Sequence, residues 1–204
     1  MRWFRSVCSG LHKRIHIAAL CGLLAAASPA ALCSVSFSGD RPHQIETAQG
    51  LTALTPVGQG SLRFLGLRIY EASLFSVPNA TGESKLTAPN QVFNQPFVLQ
   101  IHYARSISLE QLAERSIKEM EGLGLVPKSS REQWLAHLFK SFRAVNSGDR
   151  ITGVFRPNRG ASFYLNGVLV HEVADPQFAE AFFRIWLDPK TSEPSLRRAL
   201  LGLN

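Results

Sequence analysis

The sequence of 204 residues predicts an α+β domain: strands come first, then two helices, then a strand meander, then two more helices. Three observations carry that reading. Residues 97–103 alternate, with Phe97, Leu99, Ile101 and Tyr103 on one side and Val98, Gln100 and His102 on the other, the period of a strand with one face in the core. Ser108 and Gln111 stand at capping-box spacing ahead of Leu112, Ala113, Ile117 and Met120, which recur at helical period. Asn166-Gly167 signals a hairpin, because both residue types accept positive φ.

The first thirty residues read as an export signal outside that domain. Arg2, Arg5, Lys13 and Arg14 make a positive start, Ile17–Ala27 is apolar, and Ser28 and Ala30 are small residues at signal-peptidase spacing. The apolar run falls short of the roughly 20 residues of a membrane span. Cleavage is expected near residues 30–33, which removes Cys8 and Cys21 and leaves at most Cys33, so no intrachain disulfide can form. Residues 31–44 are expected to be a flexible lead-in, and residues 45–204 the domain. Four of the 22 basic residues leave with the signal, so the excess over 15 acidic residues falls from +7 to about +3. The mature part holds no Lys/Arg run, and no nucleic-acid partner is expected.

The domain begins with a strand within residues 45–57, and Gly58-Gln59-Gly60 reads as the turn after it. Residues 62–75 read as one long strand, or two joined by a bulge near Gly66. Residues 79–94, rich in Pro, Asn, Thr and Gly, read as a long surface loop before the strand at 97–103. The helix from Ser108 is expected to end at Gly122 or Gly124. Ser129 and Glu132 suggest a second capping box, followed by the stripe Trp134, Leu135, Leu138, Phe139 and Phe142. Strands follow at 150–156, 161–166 and 168–173. Asp175 with Pro176 opens a third helix, with Phe178, Phe182 and Trp186 on one face, and a short fourth helix spans about 193–201, capped by Gly202.

No catalytic signature is present: there is no paired-Cys motif, no HExxH, no phosphate loop and no GxSxG elbow. The four histidines beyond the signal share no metal spacing. No catalytic residue, metal site or cofactor is therefore assigned. Arg63 and Arg68, inside an apolar strand region, are the residues of interest. A buried guanidinium requires an anionic partner and matches a carboxylate as a two-pronged fork. Tyr70 and Tyr103 place hydroxyls where the same cleft would lie.

The run GSLRFLGLRIYEASLFSVP (Gly60–Pro78) resembles the β-hairpin region of chalcone isomerase-like proteins. SLEQLAERSIKEM (Ser108–Met120), the stretch from His137 to Phe155, and FAEAFFRIWLDPKTSEPSLRRALLG (Phe178–Gly202) follow in that family's order. The resemblance is strongest to the family's exported bacterial branch. It implies an open-faced β-sandwich, a large antiparallel sheet covered by helices. It also implies one of two activities, flavanone ring closure or non-catalytic fatty-acid binding. The family's catalytic arginine, threonine, tyrosine and asparagine fall near Thr52–Leu54, Leu65, Ser108 and Arg115, and none of the four is matched.

The expectation is an exported, non-catalytic protein that binds a fatty-acid-like or other apolar anionic ligand through Arg68, Tyr70, Tyr103 and Arg105. Leu99, Ile101, Phe182 and Trp186 would line the tail region. The alternatives are an intramolecular lyase with a rearranged site and a ligand-free module of the cell envelope. Export places the protein in the periplasm or outside the cell, with no stable membrane span after cleavage. N-terminal sequencing of the protein from its native host is expected to find a start near Ala31 or Ser34; an intact Met1 on a cytoplasmic protein would contradict the export reading.

Overall fold

The alternation of residues 97–103 places Phe97–Tyr103 at the heart of a six-stranded antiparallel sheet. This is a computed structural model, and the residues described are 35–39, 41–47, 50–78 and 91–203. The export signal, the fate of Cys33 and most of the 79–94 loop lie outside them. Strands β1 (Val35–Ser38), β2 (Arg41–Thr47) and β3 (Gly50–Ala53) form a small antiparallel sheet in that order. Strands β4 (Thr55–Phe64), β5 (Leu67–Ser76), β6 (Phe97–Tyr103), β7 (Arg150–Arg156), β8 (Gly160–Leu165) and β9 (Val168–Val173) form the large sheet, in sequence order. Helices α1 (Leu109–Gly122) and α2 (Arg131–Ser141) are inserted between β6 and β7; α3 (Pro176–Leu187) and α4 (Pro194–Leu200) follow β9.

The two faces of β6 enter two different cores. Phe97, Leu99, Ile101 and Tyr103 join the main core beneath the helices. Val98 joins a second cluster with Phe75, Val154 and Tyr164 of the large sheet and Val35, Ile45 and Leu54 of the small one. Residues 35–38 and 41–44, expected as lead-in, are therefore paired strands. Val35 and Ile45 are buried against the sheet, and the Phe37 and Tyr164 rings meet at 5.5 Å. Apolar residues spaced so sparsely carry little periodic signal, and they become strands only because an apolar face lies beneath them.

Two further expectations change for local reasons. Gly58 and Gly60 lie in mid-strand, not in a turn, because α4 crosses β4 there. A Cβ on Gly58 would overlap the carbonyl oxygen of Ala199, and one on Gly60 would stand 2.8 Å from Leu196 Cδ1. Residues 62–75 form two strands of a hairpin, turning at Leu65-Gly66 with φ of +49° and +80°. Residues 91–94 of the expected loop end in a 3-10 turn, Val92–Asn94, with Val92 buried.

The α1 capping box is present: Gln111 N–H donates to Ser108 Oγ at 3.2 Å, and Ser108 N–H to Gln111 Oε1 at 3.1 Å. The second box is absent, since residues 128–130 form a 3-10 turn and the N-cap of α2 is Ser130, without a side-chain bond. Asp175 caps α3, accepting from Phe178 N–H at 2.9 Å and from the Trp134 indole of α2 at 3.0 Å. The aromatic face of α3 then settles on β7 and β8. Phe182 meets Phe163 edge-on at 5.1 Å, and Phe183 meets Phe97 at the same distance. Helices α2, α3 and α4 lie on the sheet, whereas α1 packs on α2 and α3. Among the described residues, no helix is long and apolar enough to cross a membrane.

Replacing Gly58 by Ala forces α4 off β4 and is expected to cost about 2 kcal/mol, lowering the melting temperature by about 4–8 °C. Gly122→Ala, whose added methyl meets open space, is the control and should not lower it. Calorimetry of the two variants checks this; equal melting temperatures would contradict the close approach of α4.

Candidate functional site: a cavity between the sheet and α1

Because α1 rests on the other helices, a gap of about 420 Å³ remains between it and strands β5–β7, within the roughly 300–1,000 Å³ usual for ligand pockets. Ile101, Ile151 and Tyr103 form its sheet side. Leu112 and Ser116 of α1 face them, and Phe182, Ile185 and Trp186 of α3 close one flank. The lining is predominantly apolar, with polar groups gathered at the rim: Arg105, Ser106, Gln111, Arg115, Glu119 and Glu193.

Tyr70 and Tyr103 are directly opposed across β5 and β6, and their rings meet edge-on at 6.0 Å. The Trp186 indole N–H donates to the Tyr70 hydroxyl at 2.9 Å, tying α3 to the sheet inside the cavity. Tyr70 thereby uses a lone pair and keeps its own proton available. The Tyr103 hydroxyl has no hydrogen-bond partner among the described residues, yet it is not sealed off, since Tyr103 lines the cavity. Burial pushes the Tyr70 phenol up to about 12; the Trp186 bond works against that rise, and the nearby Glu193 and Glu119 charges add to it. Burial, and secondarily the neighbouring Tyr70, pushes Tyr103 still higher. Both phenols are therefore neutral donors at any physiological pH.

The rim cations differ in their partners. Arg115 is ion-paired with Glu119 one turn along α1, and Glu119 also accepts from Ser192 Oγ at 2.9 Å. Arg105, on the segment leaving β6, is exposed at the cavity and makes no ion pair or side-chain hydrogen bond among the described residues. Arg68 stands apart from this site. The tight turn at Leu65-Gly66 sets it opposite Arg63, beyond the cavity wall, where it is 52% exposed and pairs with Glu71 at 3.9 Å.

Of the four expected ligand residues, the fold thus gathers Tyr70, Tyr103 and Arg105 around one cavity and leaves Arg68 outside it. Ile101, Phe182 and Trp186 line the cavity, whereas Leu99 is core. The residues that sequence reasoning missed are Glu119, Glu193 and the indole donor of Trp186. The helical spacing of Arg115 and Glu119 was a readable signal for their pairing; nothing local announces the bond from Trp186 to Tyr70, 116 positions away. Thr52 and Ala53 lie on β3, and Leu54 belongs to the core beneath the small sheet. That is the face of the large sheet away from the cavity, so no residue of this segment reaches it.

Residues 45–202 match the chalcone isomerase-like family, and the chain belongs to that family. Among solved structures, a fatty-acid binding protein of Arabidopsis thaliana has a similar fold, with a TM-score of 0.55 at 10% identity, covering 83% of this chain and 91% of that one. No curated protein matches the chain. The open-faced sandwich with its helical layer is thus the fold of this protein.

The chain's three tyrosines, Tyr70, Tyr103 and Tyr164, all have phenols raised by burial. Their contribution to stability is fully present below the ordinary phenol pKa of about 10, and it is lost as pH rises towards about 12 for Tyr70. Spectrophotometric titration should therefore find Tyr70 and Tyr103 still protonated at about pH 10.5, with their ionisation accompanying alkaline unfolding. Half-ionised tyrosine in the folded protein at about pH 10 would contradict the buried pair.

Proposed function

We propose that this protein is a non-catalytic carrier of a fatty-acid-like apolar acid, held between the large sheet and α1. One observation carries the reading: Arg105 stands at the rim of an apolar cavity whose wall holds the Tyr103 phenol, and neither group has a side-chain partner among the described residues. A carboxylate satisfies both groups. The guanidinium offers a charged fork and the neutral phenol a donor, while Ile101, Ile151 and Phe182 receive the chain. The family resemblance, which implies fatty-acid binding as one of two activities, supports the same reading, as does the fold shared with the plant fatty-acid binding protein. The N-terminal pattern supports export, which would make the ligand a periplasmic or extracellular one.

Ring closure of chalcones is disfavoured by the segment Thr52–Leu54, which lies away from the cavity and supplies no arginine. Loss of one such electrostatic contact lowers a rate by about 10²–10³. The purified protein is expected to leave chalcones uncyclised above the uncatalysed background; turnover that Tyr103→Phe abolishes would instead establish the lyase reading.

Titration with a fluorescent fatty acid tests the carrier reading. Arg105→Met is expected to weaken binding about three- to tenfold, less than a buried charge-assisted bond would give because Arg105 is solvated. Tyr103→Phe should weaken it by a similar factor, and Arg68→Met should leave it unchanged. Absence of saturable binding, or an effect of Arg68→Met alone, would contradict the site.

A further inference from the structure

Three described residues other than glycine have positive φ: Leu65, Asn158 and Asn166. Two are asparagines, whose short polar side chains tolerate the left-handed region. The third is a leucine at φ +49°, and its side chain is 86% exposed. Phe64 and Leu67, on either side of the turn, are 66% and 51% exposed, so three large apolar side chains crown the β4–β5 hairpin. Immediately behind them stand Arg63 and Arg68, a cross-strand pair. Arg63 Nη1 donates to Gly66 O at 3.2 Å, and Arg68 meets Glu71 only at 3.9 Å. Both contacts leave donors of the guanidinium forks for an outside anion.

We propose that this hairpin tip is a membrane-docking element, which seats Phe64, Leu65 and Leu67 in the interfacial zone of an anionic lipid surface while Arg63 and Arg68 meet headgroup phosphates. An apolar tip with a cationic collar is complementary to that boundary, acyl chains below and negative charge above. A turn of three projecting side chains fits a soluble protein partner poorly, since stable interfaces bury about 800 Å² on each side. The tip is also joined directly to the cavity. Leu62 and Tyr70 are cross-strand partners in the cavity wall, and the crown begins two residues beyond Leu62. Docking therefore brings the cavity wall close to the lipid surface. That this serves ligand exchange rests on the carrier reading above; the docking itself does not.

Co-sedimentation of the protein, in its native processed form, with vesicles of phosphatidylcholine alone or mixed with phosphatidylglycerol tests the proposal. Wild type should bind the mixed vesicles more tightly than the neutral ones. Leu65→Asn should weaken binding about tenfold with an unchanged or higher melting temperature, because asparagine suits the turn. Arg63→Gln/Arg68→Gln should abolish the preference for anionic vesicles. Fatty-acid affinity in vesicle-free solution should be the same in every variant, so a failure of the carrier reading shows in that assay and a failure of docking in the vesicles. The proposal is overturned if wild type does not bind anionic vesicles, or if Leu65→Asn binds them as tightly as wild type. It is also overturned if sedimentation velocity shows a dimer that Leu65→Asn dissociates, which would make the tip a contact between copies.

Discussion

The aromatic face of α3 sets the distance between α1 and the large sheet, and the cavity exists because of that distance. Phe178, Phe182 and Phe183 pack on the rings of β6–β8, and Trp186 continues the stripe to the Tyr70 hydroxyl. Asp175 fixes the start of α3 and reaches across to Trp134 of α2; Asp188 fixes its end, accepting from Arg184 and from the Lys190 amide. With both ends pinned, α1 has no route down to the strands. It rests on α2 and α3, and the apolar flank of the space beneath it is set by Phe182 and Trp186, which ring packing holds in place. Such preorganisation spares a ligand the cost of ordering its site.

The polar groups of the cavity follow from the same geometry. Tyr103 belongs to the main core and Tyr70 packs against it beneath Trp186, and withdrawal from water keeps both phenols protonated. The bond from Trp186 satisfies one of them and leaves the other without a hydrogen-bond partner among the described residues. Arg105 escapes burial because β6 ends at Tyr103 and the chain turns outward before α1. The result is a gradient from a charged rim to an apolar interior, the arrangement that suits an amphiphilic acid.

Much of this fold was legible in the sequence because the signals were local. The alternation of 97–103, the Ser108–Gln111 box, the Asp175-Pro176 start and the Asn166-Gly167 turn each depend on neighbouring residues alone. The errors arose where distant parts of the chain decide the conformation. Gly58 and Gly60 look like a turn until α4 is laid across them, and residues 35–44 look like a linker until the second face of the sheet is seen to need cover. At the site, Tyr70 and Tyr103 could be nominated from strand position, and Arg105 as an arginine that the family resemblance left to meet a carboxylate. Arg68 was nominated on the same grounds, but the tight turn at Leu65-Gly66 carries it past the cavity. The standoff of α1, and hence the cavity itself, had no local signature.

The central claim is that an apolar acid lies under α1 with its carboxylate at Arg105 and Tyr103. Heteronuclear NMR of the protein with a fatty acid labelled with ¹³C at the carboxyl and along the chain tests it most directly. The account predicts a carboxyl resonance that titrates below that of the free acid, together with cross-peaks from chain methylenes to the rings of Phe182 and Trp186. A carboxyl that titrates as the free acid does, with no methylene contact to either ring, would contradict it.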